Sequence, residues 1–212
     1  MDGNNRWSKI HNKSSFESYK FGAKKLLNLS QYIFNNYKKI SYVSAFALST
    51  HNMKRPKSTL NTIFDVFEYF LDKFPDNKYD FKITFIGNLD DFNKKLRDKI
   101  SSIEKINSNS KRKLIIFINY SGSSDIKNAH KRYLMSDSKR IFNIQNFILT
   151  KGIPNPDILI RSGGFQRLSD YMLFNLTFTE LFFSSKLWPD LKSNDIKKFI
   201  IKYRTIERKF GT

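Results

Sequence analysis

The sequence predicts a single α/β domain over residues 1–212, with a mostly parallel central sheet flanked by helices. Segments with helical periodicity alternate with short apolar segments that are typical of strands, and this alternation indicates repeated βα units. No internal repeat and no linker rich in Pro or Gly divides the chain. Ligands of such folds collect at the carboxyl ends of the strands, so we expect the functional residues there.

The first half of the chain contains two helices and two strands. Residues 18–37 carry apolar side chains near a 3.6-residue period, which predicts a helix. The short β-rich run KISYVSAFA at 39–47 predicts a strand, and FKITFIG at 81–87 predicts a second one. Between them, Ser58 is expected to cap a helix over 59–73 that is apolar on almost every side.

The second half continues the alternation. The run KLIIFIN at 113–119 is continuously apolar, which indicates a strand that is buried on both faces. The remaining elements are expected to be helices at 89–106, 124–134, 138–149 and 193–209 and a short strand at 157–161. The helix at 89–106 is charged and exposed, and the last helix is basic.

Composition excludes several kinds of chemistry. The chain has no Cys, which excludes disulfides, thiolate zinc sites and a cysteine nucleophile. Its three histidines are scattered along the sequence and do not form an obvious metal cluster. No apolar stretch approaches the roughly 20 residues of a membrane span, and the first residues contain no signal-peptide core. We therefore expect a cytoplasmic protein.

The formal net charge of +19 has two interpretations. The charge can attract an anionic partner, such as nucleic acid, an acidic lipid surface or a diphosphate substrate. Alternatively, it reflects a compositional bias towards Lys, Asn, Ile, Phe and Ser. The lysines are spread along the chain without a long basic run, which disfavours a nucleic-acid footprint.

Polar residues cluster at the start of the chain and after the strand at 39–47. The first cluster is Asp2, Gly3, Asn4, Asn5, Arg6 and Trp7; the second is Ser49, Thr50, His51, Asn52 and Arg55. Backbone amides in a turn, hydroxyl groups and a guanidinium can together bind a phosphate group. A turn that enters a helix and an ordinary polar loop would use the same residue types, so these alternatives stay open.

A third cluster follows the strand at 157–161. Arg161 and Arg167 flank a Gly-Gly turn and can converge on one phosphate group, with Leu168 and Ser169 directly after them. Glu180 follows in the apolar context TFTELFF, where a carboxylate is costly unless it is paired or bound to a metal. A core salt bridge remains the alternative for Glu180.

These clusters carry a resemblance to a known family. The segment IRSGGFQRLSDYMLFNLTFTELFFSSKLWPDL closely resembles the carboxyl-terminal signature of the cis-prenyltransferases, and MDGNNRW resembles their amino-terminal MDGNGRW motif. The trans-acting prenyl synthases use paired DDxxD motifs instead. The adjacent pair Asp90 and Asp91 is followed by Phe-Asn-Lys and is better interpreted as a helix start, which disfavours the trans class.

The resemblance implies a role for each matching residue. Asp2 would hold Mg²⁺ on a diphosphate and assist the departure of pyrophosphate, Glu180 would be the second metal-linked carboxylate, and Asn52 would accept the proton. The allylic diphosphate would be bound by Gly3, Asn4, Asn5, Arg6 and Trp7, with Ser49, Thr50, His51 and Arg55 as further substrate contacts. The head group of isopentenyl diphosphate would be bound by Arg161, Arg167, Leu168 and Ser169.

The resemblance also implies partners and an apolar tunnel for the prenyl chain. The substrates would be isopentenyl diphosphate and an allylic diphosphate such as farnesyl diphosphate. It implies a homodimer in which the basic carboxyl-terminal segment, with Arg208 and Gly211, reaches the neighbouring head-group site. Peripheral membrane contact is compatible with the positive charge, and no nucleic-acid partner is expected. Two alternatives are a non-catalytic partner subunit of the same fold and, less favoured, a basic nucleic-acid binder.

The sequence departs from the family pattern at several positions. Ser15 and Tyr19 replace a usual Arg and His, His51 replaces a Glu, and Met53 replaces a Trp. The sequence Ser-Gly-Ser-Ser at 121–124 replaces Gly-Gly-Arg-Trp, and Phe165 replaces a Glu. The family also has a buried strand immediately before the MDGN motif. We therefore expect the native product to begin upstream of Met1.

Overall fold

The computed structural model describes residues 1–74, 79–136 and 141–208. The helices are α1 (Asn4–Ile10), α2 (Ser15–Asn36), α3 (Lys57–Lys73), α4 (Lys94–Lys105), α5 (Gly122–Leu134) and α6 (Ser193–Arg204). The strands are β1 (Tyr42–Ser49), β2 (Lys82–Ile86), β3 (Lys113–Tyr120), β4 (Ile158–Arg161) and β5 (Glu180–Phe183). Within these described ranges, no helix has the combination of length and apolar character that a membrane span requires.

All paired strands run parallel, in two small sheets. The first sheet has the order β1-β3-β2, with Ala45 and Phe85 on the outer strands both paired with Ile116 on β3. Every residue of β3 from Leu114 to Tyr120 is buried, as its continuous apolar run predicts. The second sheet pairs β4 with β5. The predicted α/β class and the mostly parallel sheet are confirmed.

An aromatic core lies between the first sheet and the helices that pack on it. The ring of Phe34 on α2 lies 5.3 Å from that of Phe81, and Tyr79 stacks on Phe74 at 5.8 Å. Phe34, Phe74 and Phe81 are almost completely buried. Helix α2 packs against α3, and α4 packs against both β2 and α3. This packing covers the sheet and places α2 and α3 over the ends of β1 and β3.

Several predicted boundaries are wrong for local reasons. Helix α2 begins at Ser15 because Ser14 and Glu17 form a capping box. Ser58 is not the cap of α3, which begins at Lys57; the carbonyl of Pro56 accepts hydrogen bonds from the first turn. Helix α4 begins only at Lys94, after a short 3₁₀ turn at Leu89–Asp91, and α6 ends at Arg204.

The predicted helix at 138–149 is also wrong where the structure describes it. Residues 137–140 lie outside the described ranges, and the rest contains only a 3₁₀ turn at Ile144–Asn146. The backbone N–H of Leu149 donates to both carboxylate oxygens of Asp125, at 3.0 and 3.1 Å, and so does not join a helical ladder. Ile141 is 96% exposed, so it does not belong to the buried face of a helix here.

Candidate active site

A cavity opens between α2, α3 and the ends of β1 and β3. Its volume is about 210 Å³. The inner walls are apolar and include Leu26, Leu48, Val66, Phe67, Phe70, Ile116 and Ile118. The mouth is polar and is formed by residues 2–6 together with Tyr19, Asn52 and Arg55. The arrangement combines an apolar interior with a charged rim at the strand ends.

Asp2 lies at this rim between two arginines. Its Oδ2 accepts a hydrogen bond from Nη2 of Arg161 at 3.0 Å, and its Oδ1 lies 3.4 Å from Nη2 of Arg6. The Asp2 side chain is 34% exposed, whereas that of Arg161 is only 14% exposed. The ion pair therefore joins the start of the chain to the end of β4, and the carboxylate remains accessible to a ligand.

The backbone of Asp2 is fixed by the same distant segments. Its N–H donates to Oγ of Ser162 at 3.1 Å, and its carbonyl oxygen accepts a hydrogen bond from the N–H of Trp188 at 2.8 Å. Helix α1 begins directly afterwards, with Gly3 in the left-handed region at φ 103°. These contacts hold the Asp2 carboxylate at the cavity mouth.

The turn after β4 brings Arg6 to the same place. Gly163 adopts φ 91°, and its carbonyl oxygen accepts a hydrogen bond from Nη2 of Arg6 at 2.7 Å. A Cβ atom on Gly163 would lie 2.7 Å from that nitrogen and 3.1 Å from the Asp2 side chain. A glycine is therefore required here both by the backbone conformation and by the close approach of Arg6 and Asp2.

Arg161 is held by its own turn and keeps one donor free. Its Nη1 donates to the carbonyl of Arg167 and, at 2.8 Å, to Oγ of Ser169. Its Nε is buried and has no hydrogen-bond partner in the described part of the chain. A buried, unpaired donor is costly, and the described residues supply no acceptor for this nitrogen.

The segment after β1 is organised mainly by its own hydrogen bonds. Oγ of Ser49 accepts the N–H of Asn52 at 3.2 Å, and Oδ1 of Asn52 accepts the N–H of Ser49 at 3.4 Å. This reciprocal pair caps the 3₁₀ turn at Thr50–Lys54. Nη1 of Arg55 lies 3.5 Å from the hydroxyl of Tyr19, which replaces the expected histidine. Asn52 and Arg55 face the cavity together with Asp2 and Arg6.

Asp170 joins three segments of the chain and was not foreseen from the sequence. Its carboxylate accepts hydrogen bonds from the Ser121 hydroxyl and from the N–H and hydroxyl of Ser123, at 2.8 and 2.7 Å for the latter pair. Nε2 of His51 lies 3.7 Å away. Burial opposes ionisation, but the hydrogen bonds from both serines outweigh it and lower the pKa of the Asp170 carboxyl. The hydroxyl-rich sequence at 121–124 was the one feature of the sequence that could have indicated these hydrogen bonds.

The proposed site residues that do not line the cavity include Trp7, Leu168 and Glu180. Trp7 donates its Nε1–H to Asp190 at 2.8 Å and stacks on Phe21, so it supports helix packing. Leu168 packs against a buried apolar cluster beside β3. Glu180 begins β5 and pairs with Ile158.

In the folded chain, Glu180 lies away from Asp2. Arg161, which binds Asp2, pairs with Phe183 at the other end of β5. Three residues of extended strand correspond to about 10 Å. Across the described residues, no group of three or more His, Asp or Glu side chains is arranged to hold a metal ion. A metal at the mouth would therefore depend on Asp2 and on oxygens of a bound ligand.

The fold and the rim define the class of protein. It is an α/β protein whose strand ends surround an apolar cavity with arginines and one accessible carboxylate. Such a site suits a ligand with an anionic head group and an apolar tail.

Comparisons with known proteins identify the family. Residues 1–211 match the family described as "Putative undecaprenyl diphosphate synthase". The chain is 33% identical to an isoprenyl transferase of Helicobacter pylori strain J99, over 100% of this chain and 94% of the relative. It is 32% identical to a farnesyl-diphosphate-specific ditrans,polycis-undecaprenyl-diphosphate synthase of Coxiella burnetii, over 100% and 93% of the two chains.

A solved structure agrees with this assignment. Lavandulyl diphosphate synthase from Lavandula x intermedia, solved with dimethylallyl diphosphate, superposes with a TM-score of 0.89 at 27% identity. The match covers 100% of this chain and 95% of the other. The chain belongs to the undecaprenyl diphosphate synthase family and is a cis-prenyltransferase.

Proposed function

We propose that the protein is a magnesium-dependent enzyme that condenses isopentenyl diphosphate with an allylic diphosphate, such as farnesyl diphosphate, to give a poly-cis-prenyl diphosphate. The observation that carries the proposal is the Asp2 carboxylate, held between Arg6 and Arg161 at the mouth of an apolar cavity. The farnesyl-diphosphate-specific relative and the solved synthase with dimethylallyl diphosphate support an allylic diphosphate as one substrate.

The reaction begins with loss of the allylic diphosphate. The bond between C1 and the diphosphate oxygen breaks, and pyrophosphate leaves with the electron pair. Arg6 lies where it can neutralise the developing negative charge, and the apolar walls exclude water from the allylic cation. The prenyl tail is proposed to occupy the cavity between α2 and α3, which would serve as the tunnel.

The second step forms the carbon–carbon bond. Isopentenyl diphosphate is proposed to bind through Arg161, Arg167 and Ser169, and its double bond attacks C1 of the cation. A proton then leaves C2 of the added unit, and the new cis double bond forms. Asn52 is the proposed acceptor of this proton. Its Oδ1 carries only a long hydrogen bond, 3.4 Å from the Ser49 nitrogen, so it retains capacity to accept.

The residues present fit a magnesium ion that is shared with substrate. Mg²⁺ is commonly held by one or two carboxylates together with substrate phosphates, and Asp2 offers one accessible carboxylate beside the proposed diphosphate site. When bound, the ion supplies positive charge that stabilises the departing pyrophosphate. Glu180 remains the second proposed metal-linked carboxylate, and its place at the far end of β5 gives Asp2 the position nearest the arginines.

We also propose that the protein forms a homodimer and contacts the cytoplasmic surface of the membrane. Leu181 on β5 and the nearby Phe178 are exposed and could contribute to an apolar interface. Arg208, expected to reach a neighbouring subunit, binds Asp157 of its own chain at 2.8 Å, and Gly211 lies outside the described residues. The apolar product and the excess of positive charge favour contact with an anionic lipid surface.

The test is incubation with radiolabelled isopentenyl diphosphate, farnesyl diphosphate and Mg²⁺, followed by chain-length analysis of the extracted lipids. We expect labelled products longer than farnesyl diphosphate, and their loss when EDTA removes the metal. A purified, folded protein that forms no labelled lipid with any allylic primer would contradict the proposal and favour the non-catalytic subunit. Undiminished product in EDTA would contradict the metal dependence alone.

A further inference from the structure

One aromatic ring contacts three guanidinium groups beside the cavity mouth. The ring of Phe165 lies 4.1 Å from the guanidinium carbon of Arg167, 5.2 Å from that of Arg6 and 5.9 Å from that of Arg161. The three arginines come from the turn itself, from α1 and from the end of β4. The ring is 41% exposed, although a phenylalanine of this size is normally more buried.

The ring can gather these cations without cancelling their charge. Three guanidinium groups close together repel one another, and the electron-rich face of an aromatic ring offsets part of that repulsion. A carboxylate, which the family usually has at this position, would pair with the arginines and neutralise one positive charge. Phe165 instead gathers the three arginines with neither a charge nor a hydrogen-bond acceptor.

The arginines that contact the ring retain free donors. In the described part of the chain, Arg167 has no hydrogen bond from its side chain to protein, and its guanidinium lies against the Phe165 ring. Arg161 has its Nε unpaired. Arg6 and Arg161 also bind the two carboxylate oxygens of Asp2. The ring therefore contacts Arg6, Arg161 and Arg167, the three arginines that the proposed mechanism assigns to a head group.

We propose that Phe165 is a positioning residue shared by the two diphosphate sites. It holds Arg6 on the allylic side and Arg161 and Arg167 on the isopentenyl side in one arrangement, with their N–H groups directed to substrate. This inference rests on the proposed function for the identity of the two ligands. Its physical content, a neutral ring that preorganises three cations for diphosphate, can be measured separately.

The experiment compares Phe165→Leu and Phe165→Tyr with the unchanged protein. Steady-state kinetics give kcat and the KM of each substrate, and calorimetry gives the Kd of inorganic pyrophosphate. Loss of the ring in Phe165→Leu should raise both KM values and the pyrophosphate Kd by about three- to thirty-fold, the range expected for lost cation–π contacts. Phe165→Tyr keeps the ring, so both KM values and the pyrophosphate Kd should equal those of the unchanged protein.

Phe142→Leu is the matched control. Phe142 is also a partly exposed ring, but it packs against His130, Tyr133 and Phe147, away from the cavity mouth. The Phe142→Leu substitution should lower thermal stability without changing either KM or the pyrophosphate Kd. If Phe165→Leu behaves in the same way, or if Leu and Tyr give equal values, the positioning role is wrong.

The two proposals fail in different ways. Active protein whose Phe165 variants keep normal KM and Kd values would overturn the role of Phe165 and leave the function intact. Protein without turnover, in which Phe165→Leu weakens pyrophosphate binding and Phe165→Tyr restores it, would overturn the function and support Phe165. Failure of the unchanged protein to bind pyrophosphate would overturn the role of Phe165.

Discussion

The two polar regions at the cavity mouth are built in different ways. The terminal cluster, defined as Asp2, Arg6, Arg161 and Gly163, is assembled by contacts between segments about 160 residues apart in sequence. The 49–55 segment is held chiefly by a local capping box, and its link to α2 is a 3.5 Å contact from Arg55 to Tyr19. A substitution in the terminal cluster should therefore disturb several ligand groups together, whereas one in the 49–55 segment should act locally.

Arg161→Ala should have the largest effect among the variants that test this comparison. It removes the partner of Asp2, the donor to Ser169 and the free Nε in one change. We expect kcat/KM to fall by about 100- to 1000-fold, as for other losses of preorganised charge. Arg97→Ala, on the exposed face of α4, is the control and should keep full turnover. Equal turnover in the two variants would remove Arg161 from the mechanism.

Gly163→Ala should follow with about a tenfold loss of turnover. The new Cβ would displace Arg6, and the positive φ adds about 1–2 kcal/mol of strain. A substitution at Gly152 distinguishes backbone strain from displacement of a neighbour. Gly152 has φ 76°, but nothing lies within 4 Å of the place that a new methyl group would occupy. Gly152→Ala should therefore lose stability in urea titrations and keep its activity. A Gly163 variant that loses only stability would show that the position of Arg6 is unimportant.

Ser49→Ala should have a smaller and more local effect. It removes one cap of the 3₁₀ turn that carries Asn52, at a cost of about 1 kcal/mol in the free energy of unfolding. Turnover should fall a few-fold while pyrophosphate affinity is kept. Ser14→Ala breaks the corresponding capping box of α2 and should cost similar stability without loss of turnover. A similar turnover in both variants would show that the 49–55 segment needs no cap for catalysis.

Asp170→Asn should give the smallest effect, and one that depends on pH. Because the pKa of Asp170 is lower in the folded chain, its ionised form stabilises the fold above the ordinary carboxyl pKa of about 4. That contribution is lost as the pH falls through the lower, folded-state pKa. Urea titrations should show the variant to be less stable at pH 7, with the difference shrinking below about pH 4. A difference that stays constant with pH would contradict this role.

The sequence was most informative where local pattern and structure coincide. The strands β1 to β4 and most helices were predicted because their apolar patterns reflect burial directly. In β3, for example, the continuous apolar run corresponds to burial from Leu114 to Tyr120. Strand β5 was not predicted, because four residues within a mixed segment give too short a pattern to recognise. For helix α1 the sequence indicated only a turn that could enter a helix.

The geometry of the site depends on contacts that no local pattern encodes. The motifs identified Asp2 and Arg161, but their 3.0 Å ion pair follows from the whole topology. Asp170 binds Ser121 and Ser123 from a segment in which Ser169, Asp170 and Met172 adopt positive φ angles, which non-glycine residues rarely do. Likewise, the separation of Glu180 from Asp2 follows from the register of β4 and β5.

The most direct test of the account is the turnover of Asp2→Asn, measured with radiolabelled isopentenyl diphosphate, farnesyl diphosphate and Mg²⁺. The substitution keeps the size of the side chain and removes the charge that Arg6 and Arg161 hold at the cavity mouth. We predict a folded protein that still binds farnesyl diphosphate but incorporates label at least about 100-fold more slowly. Incorporation at the rate of the unchanged protein would contradict the central role of Asp2.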